Sequence, residues 1–253
     1  MNTAVSDSNT LQFQVKDETA SESRLSRRRE LKFAVRGADV SKLRRAFLGS
    51  CRRMTHKFAV STVRSLYLDS ADLRACRKHI DGVGRRQKVR LRWYDSQLPA
   101  DDLFFEIKWR DNRVTGKHRV HLGLSGSIAQ RPFAEILEAL HGTLPSTYRS
   151  ALLAFDEPVM LVEYKREHFR ARSGGARLTL DYNIRYFSQI NRSRLCTLFP
   201  QPLHDLVVVE GKVPVGYERT LRSTLYPFKA RPGRCSKYIN GCQLLGLIPR
   251  LAV

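Results

Sequence analysis

Charged and apolar residues alternate strictly along several segments of the chain. In the segment KVRLRWY, at residues 88–94, Lys88, Arg90 and Arg92 occupy every second position. The segment LFFEIKWR, at residues 103–110, repeats this pattern with Glu106 and Lys108. Successive side chains of a β-strand point to opposite faces, so this period of two predicts strands with one charged and one apolar face. Strands are predicted in eight segments, at residues 28–36, 60–69, 88–94, 103–110, 114–122, 158–171, 176–188 and 206–213.

Helical patterns lie between these strands. They cover residues 38–51, 70–80, 131–142, 145–155, 216–225 and 236–248. Asp39 or Ser41 is expected to cap the first helix and Ser70 the second, because short polar side chains accept hydrogen bonds from the first backbone amides of a helix. Long strands joined by short turns or single helices predict one α+β domain around an antiparallel sheet.

The repeated charged face leaves two architectures open. An open sheet with helices on one side would expose a basic face to solvent. A closed barrel with helices packed outside would line its interior with charge, and closure would also remove unpaired strand edges. The periodicity of the sequence fits both architectures.

Composition adds a large positive charge to this picture. The 253 residues include 45 Lys and Arg against 24 Asp and Glu, which gives a formal net charge of +21. Such a charge attracts polyanions, whether nucleic acid, an anionic membrane or phosphate compounds. Residues 1–26 are rich in Ser, Thr, Asp and Glu, so we expect them to form a flexible polar tail before a domain at residues 27–253.

The cysteines and the N-terminal sequence bear on the compartment. The five cysteines are odd in number and contain no C-x-x-C pair, which argues against a disulfide framework or a structural zinc site and favours a reducing compartment. The N-terminal sequence lacks the layout of a signal peptide, and no apolar run approaches the roughly 20 residues that span a membrane. We therefore expect a soluble cytoplasmic protein.

Eight short motifs follow one another along the chain. They are E-L-K at 30–32, S-L-Y-L-D at 65–69, K-V-R-L-R-W-Y at 88–94, E-I-K at 106–108, Y-K-R at 164–166, R-L-T-L-D at 177–181, E-G-K at 210–212 and S-K-Y at 236–238. This series resembles the VTC domain, the polyphosphate polymerase branch of the triphosphate tunnel metalloenzymes (the CYTH-like superfamily). The resemblance implies an eight-stranded antiparallel β-barrel with helices packed outside, a tunnel whose inward side chains bind a triphosphate.

The resemblance also implies roles for individual residues. The implied catalytic residues are Arg90, Arg92, Lys108 and Arg166. The implied substrate-binding residues are Lys32, Lys88, Lys117, Tyr164, Lys212, Ser236 and Lys237. Glu210 is implied to hold a divalent metal, Mn²⁺ or Mg²⁺, since these hard ions prefer oxygen ligands. Glu30 and Glu106 are expected to hold tunnel cations in position, and Asp181 fits either role.

The activity implied is transfer of the γ-phosphate of ATP to a growing inorganic polyphosphate chain. Arg offers a planar fork for bidentate phosphate contacts, while Lys acts as a compact point charge. The triphosphatase branch of the same superfamily typically begins with E-x-E-x-K, and here Arg28 takes the place of the first glutamate. That departure favours transfer to a phosphate acceptor over hydrolysis. A metal-dependent triphosphatase and a non-catalytic polyphosphate-binding module stay open as alternatives.

The implied partners are ATP and inorganic polyphosphate. Nucleic acid is not expected, because the chain shows no glycine-aromatic RNA-binding signature and no basic helix of the groove-reading type. If export accompanies synthesis, a separate membrane protein is expected to supply the channel and to associate the enzyme with the membrane.

Overall fold

The chain divides into two compact units. The structure, a computed structural model, describes residues 11–21, 28–55, 57–97, 103–125, 128, 130–172, 175–214, 216, 218–233 and 235–249, with the side chains of 17–21, 28 and 125 outside the description. Within the described part, the first unit takes residues up to 22, 66–159 and 189–197. The second unit takes 23–65, 160–188 and the residues from 198 onward. Each unit is built on antiparallel strands.

Twelve strands and six α-helices are present among the described residues. The strands are β1 (Gln12–Ser21), β2 (Arg28–Arg36), β3 (Cys51–Met54), β4 (Ser61–Asp69), β5 (Arg85–Tyr94), β6 (Leu103–Asp111), β7 (Val114–Ser125), β8 (Glu157–Ala171), β9 (Arg177–Ser188), β10 (Gln201–Leu203), β11 (Leu206–Pro214) and β12 (Arg231–Pro232). The helices are α1 (Val40–Ser50), α2 (Arg74–Ile80), α3 (Phe133–Thr143), α4 (Ser146–Ala154), α5 (Glu218–Leu225) and α6 (Lys237–Leu244), with a short 3₁₀ helix at Tyr226–Phe228. The α+β class and all eight predicted strands and six predicted helices are confirmed.

The expectation of a flexible tail is wrong for part of its length. Gln12–Ser21 form β1, which pairs antiparallel with β7. Leu11 and Phe13 are buried, because alternate apolar side chains of this strand face the core of the first unit. The average composition of residues 1–26 concealed this short alternation. Residues 1–10 and 22–27 lie outside the described residues.

One predicted helix cap is also displaced. Asp39 caps α1 as expected, and its carboxylate accepts hydrogen bonds from the amides of Ser41 and Lys42. The helix α2 instead begins after Leu73, whose backbone is left-handed. The Ser70 hydroxyl accepts from the amide of Arg74 at 3.0 Å without being the capping residue. A turn over residues 70–73 therefore separates Ser70 from the helix.

The strand order corrects the predicted eight-stranded closed barrel. In the first unit the order is β1-β7-β6-β5-β4, and in the second it is β8-β9-β11-β2-β12, with β10 beside β9 and β3 beside β8. The order is open: β1 and β12 are its ends, and no pairing joins them among the described residues. Four strands that the sequence analysis did not predict, β1, β3, β10 and β12, extend the sheet. All four are short or polar, so their alternation is weak.

The apolar face of the second unit's strands carries its core. Phe33 and Val209 are fully buried there, together with Leu43 and Phe47 of α1 and Leu221 of α5. The helices therefore pack on the apolar face, as predicted for Phe33. The charged side chains of the same strands are left on the opposite face.

The first unit separates its two faces in the same way. Trp93 is fully buried, and Phe105 contacts the ring of Tyr148 in α4 edge-on at 6.1 Å. Trp109 is half-buried and lies directly opposite Gly116 of β7. Phe105 therefore faces α4, and the alternate charged residues of β5 and β6 lie on the opposite face of their strands.

Candidate functional site

The charged face of the first unit consists of three rows of side chains across three strands, and we call these rows the cation lattice. Pairing between β5, β6 and β7 sets residues directly opposite one another. The rows are Lys88–Lys108–Lys117, Arg90–Glu106–Arg119 and Arg92–Phe104–His121. Six cations therefore share this lattice with one carboxylate. The structure brings together all five residues of this unit that the sequence analysis assigned to the site.

Glu106 is the electrostatic centre of this lattice. Its side chain is only 1% exposed, and Arg90 donates from Nε and Nη2 to its Oε2 at 2.8 and 2.6 Å. Arg92 lies 3.6 Å away, and Lys117 and Arg119 approach the second oxygen at 3.3 and 3.4 Å. Burial alone would raise the pKa of Glu106, but the charges of Arg90, Arg92 and Lys117 hold the pKa well below its usual range. The carboxylate therefore stays ionised and holds the cations in place, as predicted.

The lattice has more positive charge than Glu106 can neutralise. Burial lowers the pKa of Lys117, and the neighbouring Arg119 lowers it further, against the opposing effect of Glu106. The Tyr67 hydroxyl contacts Nη1 of Arg90 at 2.9 Å, so the Arg90 guanidinium is fixed from two sides. An anionic ligand that approached this lattice would relieve the repulsion between its cations.

The sequence analysis missed Arg119. Its guanidinium pairs with Glu106 and lies 3.5 Å from the centre of the Phe104 ring, which stacks on His121 at 4.6 Å. The alternation K-H-R-V-H in β7 contained the signal, because Arg119 is two residues beyond Lys117 and must share its face. We expect Arg119 to contribute to the site as Arg90 does.

The second unit carries a separate charged face on β8, β9, β11 and β2. Pairing aligns Arg166 with Asp181, and in the next row His168, Thr179, Glu210 and Lys32 lie side by side. The third row is Arg170, Arg177, Lys212 and Glu30. This face holds the predicted residues Lys32, Arg166, Glu210 and Lys212, on the opposite side from the core.

Asp181 anchors the first of these rows. Arg166 donates to both of its oxygens at 2.6 and 2.7 Å, and Nζ of Lys237 contacts one of them at 2.6 Å. Lys237 also lies 4.5 Å from the centre of the Tyr164 ring. Burial alone would raise the pKa of the fully buried Asp181, yet Arg166 and Lys237 hold the pKa well below its usual range. Asp181 therefore positions Arg166 and Lys237, two of the predicted site residues, and ion pairs occupy both oxygens of its carboxylate.

Glu210 is much less engaged. Its contact with a described residue is an ion pair with Lys32 at 3.7 Å, whereas Glu30 approaches the same Nζ at 3.0 Å. Burial lowers the pKa of Lys32, but the charges of Glu210 and Glu30 more than offset this and raise the pKa overall. Lys32 therefore stays protonated, and Glu210 keeps lone pairs that no close donor among the described residues occupies.

Ser236 and Lys237 begin the helix α6. The hydroxyl of Ser236 accepts from the amide of Ile239 at 3.5 Å and caps the helix, while Lys237 reaches Asp181. The structure therefore brings Lys237 to the charged face and gives Ser236 a helix-capping role. Its part in substrate binding stays a prediction.

A divalent metal fits Glu210 only together with other ligands. No group of three or more His, Cys, Asp or Glu side chains that could hold a metal occurs in the described part of the chain. Mg²⁺ and similar ions are often bound through one or two carboxylates with substrate phosphates and water completing the shell. Because its lone pairs are open, Glu210 suits such a shared site, and Glu106 and Asp181 do not.

The comparison with known families decides the family of the chain. The model of the VTC domain matches residues 27–246. The chain belongs to the VTC domain family. All the predicted site residues of this VTC domain lie within the matched range, and so does Arg119.

Solved structures similar to this VTC domain have little sequence in common with it. One is a Hippeastrum protein whose description reports a dominant triphosphatase activity, 14% identical, covering 87% of this chain and 98% of its own, with a TM-score of 0.43. Another is a Vibrio parahaemolyticus protein described by the name adenylate cyclase, 10% identical, covering 86% and 97%, with a TM-score of 0.46. No curated protein matches the VTC domain chain. No helix in the described residues is long and apolar enough to cross a membrane.

Proposed function

We propose that this member of the VTC domain family is a polyphosphate polymerase that transfers the γ-phosphate of ATP to the end of an inorganic polyphosphate chain. The observation that carries the proposal is the lattice of six cations around Glu106. Its one carboxylate is held by four cations. This carboxylate is therefore unable to act as a base toward water, and the excess of positive charge suits a substrate made only of phosphates.

The positions of the cations support a clamp on the phosphates. Arg90 is held by Glu106 and Tyr67, and Arg92 has only 9% of its side chain exposed, so both guanidinium groups are fixed before a ligand arrives. Fixed cations stabilise the charge that develops in phosphoryl transfer without reorganising during the step. Positioning and charge stabilisation supply most of the catalysis of this reaction class.

In the proposed step the bond between the γ-phosphorus and the bridging oxygen of ATP breaks, and ADP leaves with the electron pair. A terminal oxygen of the polyphosphate chain forms the new bond to the γ-phosphorus. In the first unit, Arg90, Arg92 and Lys108 are proposed to neutralise the transferred group. In the second unit, Arg166 is proposed to neutralise charge on phosphate oxygens, and Lys32 and Lys212 to bind phosphates. A divalent metal at Glu210, Mn²⁺ or Mg²⁺, would polarise phosphate oxygens and offset their charge.

The test is to incubate the protein with ATP and Mn²⁺ and to separate the products by electrophoresis. The proposal expects ADP and phosphate chains that lengthen with time, with little orthophosphate. Arg90→Ala and Arg92→Ala should each slow the reaction by about 10²-fold or more, because each removes a fixed donor to developing charge. Arg113→Ala, an exposed arginine of the same unit outside the lattice, is the control and should keep full activity.

Other products would refute this function. Orthophosphate alone would indicate a metal-dependent triphosphatase, and binding of polyphosphate without ADP release under any metal would indicate a binding module. Glu210→Gln tests the metal separately, by Mn²⁺ binding in the presence of tripolyphosphate. Loss of Mn²⁺ binding with retained tripolyphosphate binding supports the role of Glu210, with Glu157→Gln as the control. Unchanged Mn²⁺ binding would make Glu210 a structural partner of Lys32.

A further inference from the structure

The hydroxyl group of Thr179 is isolated on the charged face of the second unit. Its Oγ1 is shielded from solvent and forms no hydrogen bond with a described residue. A hydroxyl that loses water without gaining a partner costs free energy. Thr62, a buried threonine of the same unit, shows the usual arrangement, because its Oγ1 accepts a hydrogen bond from Nζ of Lys165 at 2.7 Å. The Thr179 hydroxyl is therefore a candidate for a bond that forms only when a ligand binds.

Strand register places Thr179 between two polar neighbours. Pairing sets it opposite Glu210 of β11 on one side and opposite His168 of β8 on the other. Side chains directly opposite each other in an antiparallel pair share a face, with Cβ atoms about 4.5–5.5 Å apart. An imidazole offers at most one neutral acceptor nitrogen, whereas a hydrogen bond to a carboxylate is charge-assisted and roughly twice as strong. Of the two neighbours, Glu210 is therefore the stronger acceptor for the Thr179 hydroxyl.

Glu210 has room to change the orientation of its carboxylate. Its side chain is 24% exposed, and its ion pair with Lys32 is long, at 3.7 Å. Nζ of Lys32 lies closer to Glu30, at 3.0 Å. Carboxylates that bind a metal are themselves held by hydrogen bonds, and the donor should not repel the metal. Lys32 carries a positive charge and would repel a cation, whereas the Thr179 hydroxyl is neutral.

We propose that Thr179 is a positioning residue for the divalent metal: when Glu210 binds the metal, the Thr179 hydroxyl donates a hydrogen bond to the carboxylate and fixes its orientation. The inference rests on the metal site of the proposed function and adds one residue to it. Thr179 acts through Glu210, without contact to the metal or the phosphates. Loss of a residue that holds a metal ligand typically lowers metal affinity by about 10–100-fold.

The experiment compares Thr179→Val, which replaces the hydroxyl by a methyl group, with Thr179→Ser, which keeps the hydroxyl. Electron paramagnetic resonance measures Mn²⁺ binding without ATP, with the protein in excess over tripolyphosphate so that no free tripolyphosphate binds the metal. Thr179→Val should lower the Mn²⁺ affinity by about tenfold or more, and Thr179→Ser should restore it. Tripolyphosphate binding in the presence of a chelator should be unchanged in both variants. Once Glu210→Gln is present, Thr179→Val should have no further effect on Mn²⁺ binding, because the hydroxyl acts through that carboxylate.

Thermal stability distinguishes this role from a structural one. Without ligand, the Tm of Thr179→Val should equal or exceed that of the wild type, because an apolar group replaces an isolated buried hydroxyl. Thr62→Val is the matched control, since it makes the same change in the same unit but removes a hydroxyl that has a partner. The control should lower the Tm and leave the Mn²⁺ affinity unchanged. Thr179→Ala, which only removes atoms, provides a second measurement of the Mn²⁺ affinity.

Several results would overturn the inference. Unchanged Mn²⁺ affinity in Thr179→Val and Thr179→Ala would remove the role, and a fall in Tm like that of Thr62→Val would show that the hydroxyl already has a partner in the free protein. Weaker tripolyphosphate binding in the presence of a chelator would assign the hydroxyl to the phosphates. An equal effect of Thr179→Val with Glu210→Gln present would mean that the hydroxyl binds the metal directly.

The proposed function fails by a different measurement. If the wild type binds no Mn²⁺, the metal site is refuted and this inference with it. If ATP yields only orthophosphate, or no product, while Thr179→Val still weakens Mn²⁺ binding, the polymerase proposal is refuted and the role of Thr179 stands.

Discussion

Replacing Glu106 by Gln tests whether one buried carboxylate holds the cation lattice together. The variant keeps the size of the side chain but removes a charge that is 1% exposed and lies within 3.6 Å of four cations. Breaking a buried ion pair by removing one partner costs about 3–5 kcal/mol. Lys117 and Arg119 keep 37% and 27% of their side chains exposed, so water screens part of the repulsion. We therefore expect a loss of about 3 kcal/mol in the free energy of unfolding.

Thermal and urea unfolding at pH 7 measure this loss. For a chain of this size, 3 kcal/mol corresponds to a fall of roughly 6–12 °C in Tm. Glu138→Gln is the control, because Glu138 is an exposed carboxylate on α3 of the same unit. Tripolyphosphate should raise the Tm of Glu106→Gln more than that of the wild type, since the anion replaces the missing charge. Equal stability of Glu106→Gln and Glu138→Gln would refute this reasoning. So would an equal rise in the Tm of Glu106→Gln and of the wild type on addition of tripolyphosphate.

The pH dependence provides an independent check on Glu106. Its pKa in the folded protein is lower than the ordinary value of 4.5, so its stabilising effect is fully present above about pH 4.5. This effect is lost as the pH falls through the lowered pKa. The difference in stability between the wild type and Glu106→Gln should therefore narrow below pH 4.5. A difference that stays constant to lower pH would show that the carboxylate is not the source of the effect.

Two further predictions concern stability. Asp181→Asn should lower the free energy of unfolding by about 3–5 kcal/mol at neutral pH, because it leaves buried cations without their partner. Urea unfolding should show that this loss shrinks below pH 3.8, because the pKa of Asp181 is lowered in the folded protein. A loss that does not change with pH would contradict this prediction. Gly116→Ala should destabilise by about 1–3 kcal/mol, because its Cβ would lie 2.2 Å from the Trp109 ring. By contrast, a Cβ at Gly49 meets nothing within 4 Å, so Gly49→Ala should stabilise α1. The Tm values of the two variants test this difference. Equal changes in Tm would show that Gly116→Ala causes no clash with Trp109.

Much of the fold could be predicted because strand and helix periods are local. The alternation of K-V-R-L-R-W-Y assigned Arg90 and Trp93 to opposite faces, and the structure places them so. The strands that the sequence analysis missed are short or polar, and β1 was concealed by the composition around it. The open strand order could not be predicted, because alternating charge satisfies an open and a closed sheet equally.

The sequence by itself determined which side chains share a face, since neighbouring residues of a strand must point in opposite directions. It also determined the family, because the order of the motifs can be read from the sequence without the structure. Only the tertiary structure decided which charges meet. Asp181 contacts Lys237, 56 residues away, and Arg119 joins Glu106 through the register of β6 and β7. The same register leaves Glu210 lightly engaged and aligns Arg52 with Arg170. Register between strands that are far apart in sequence, such as β3 and β8, depends on contacts along the whole length of the paired strands, which no local turn fixes.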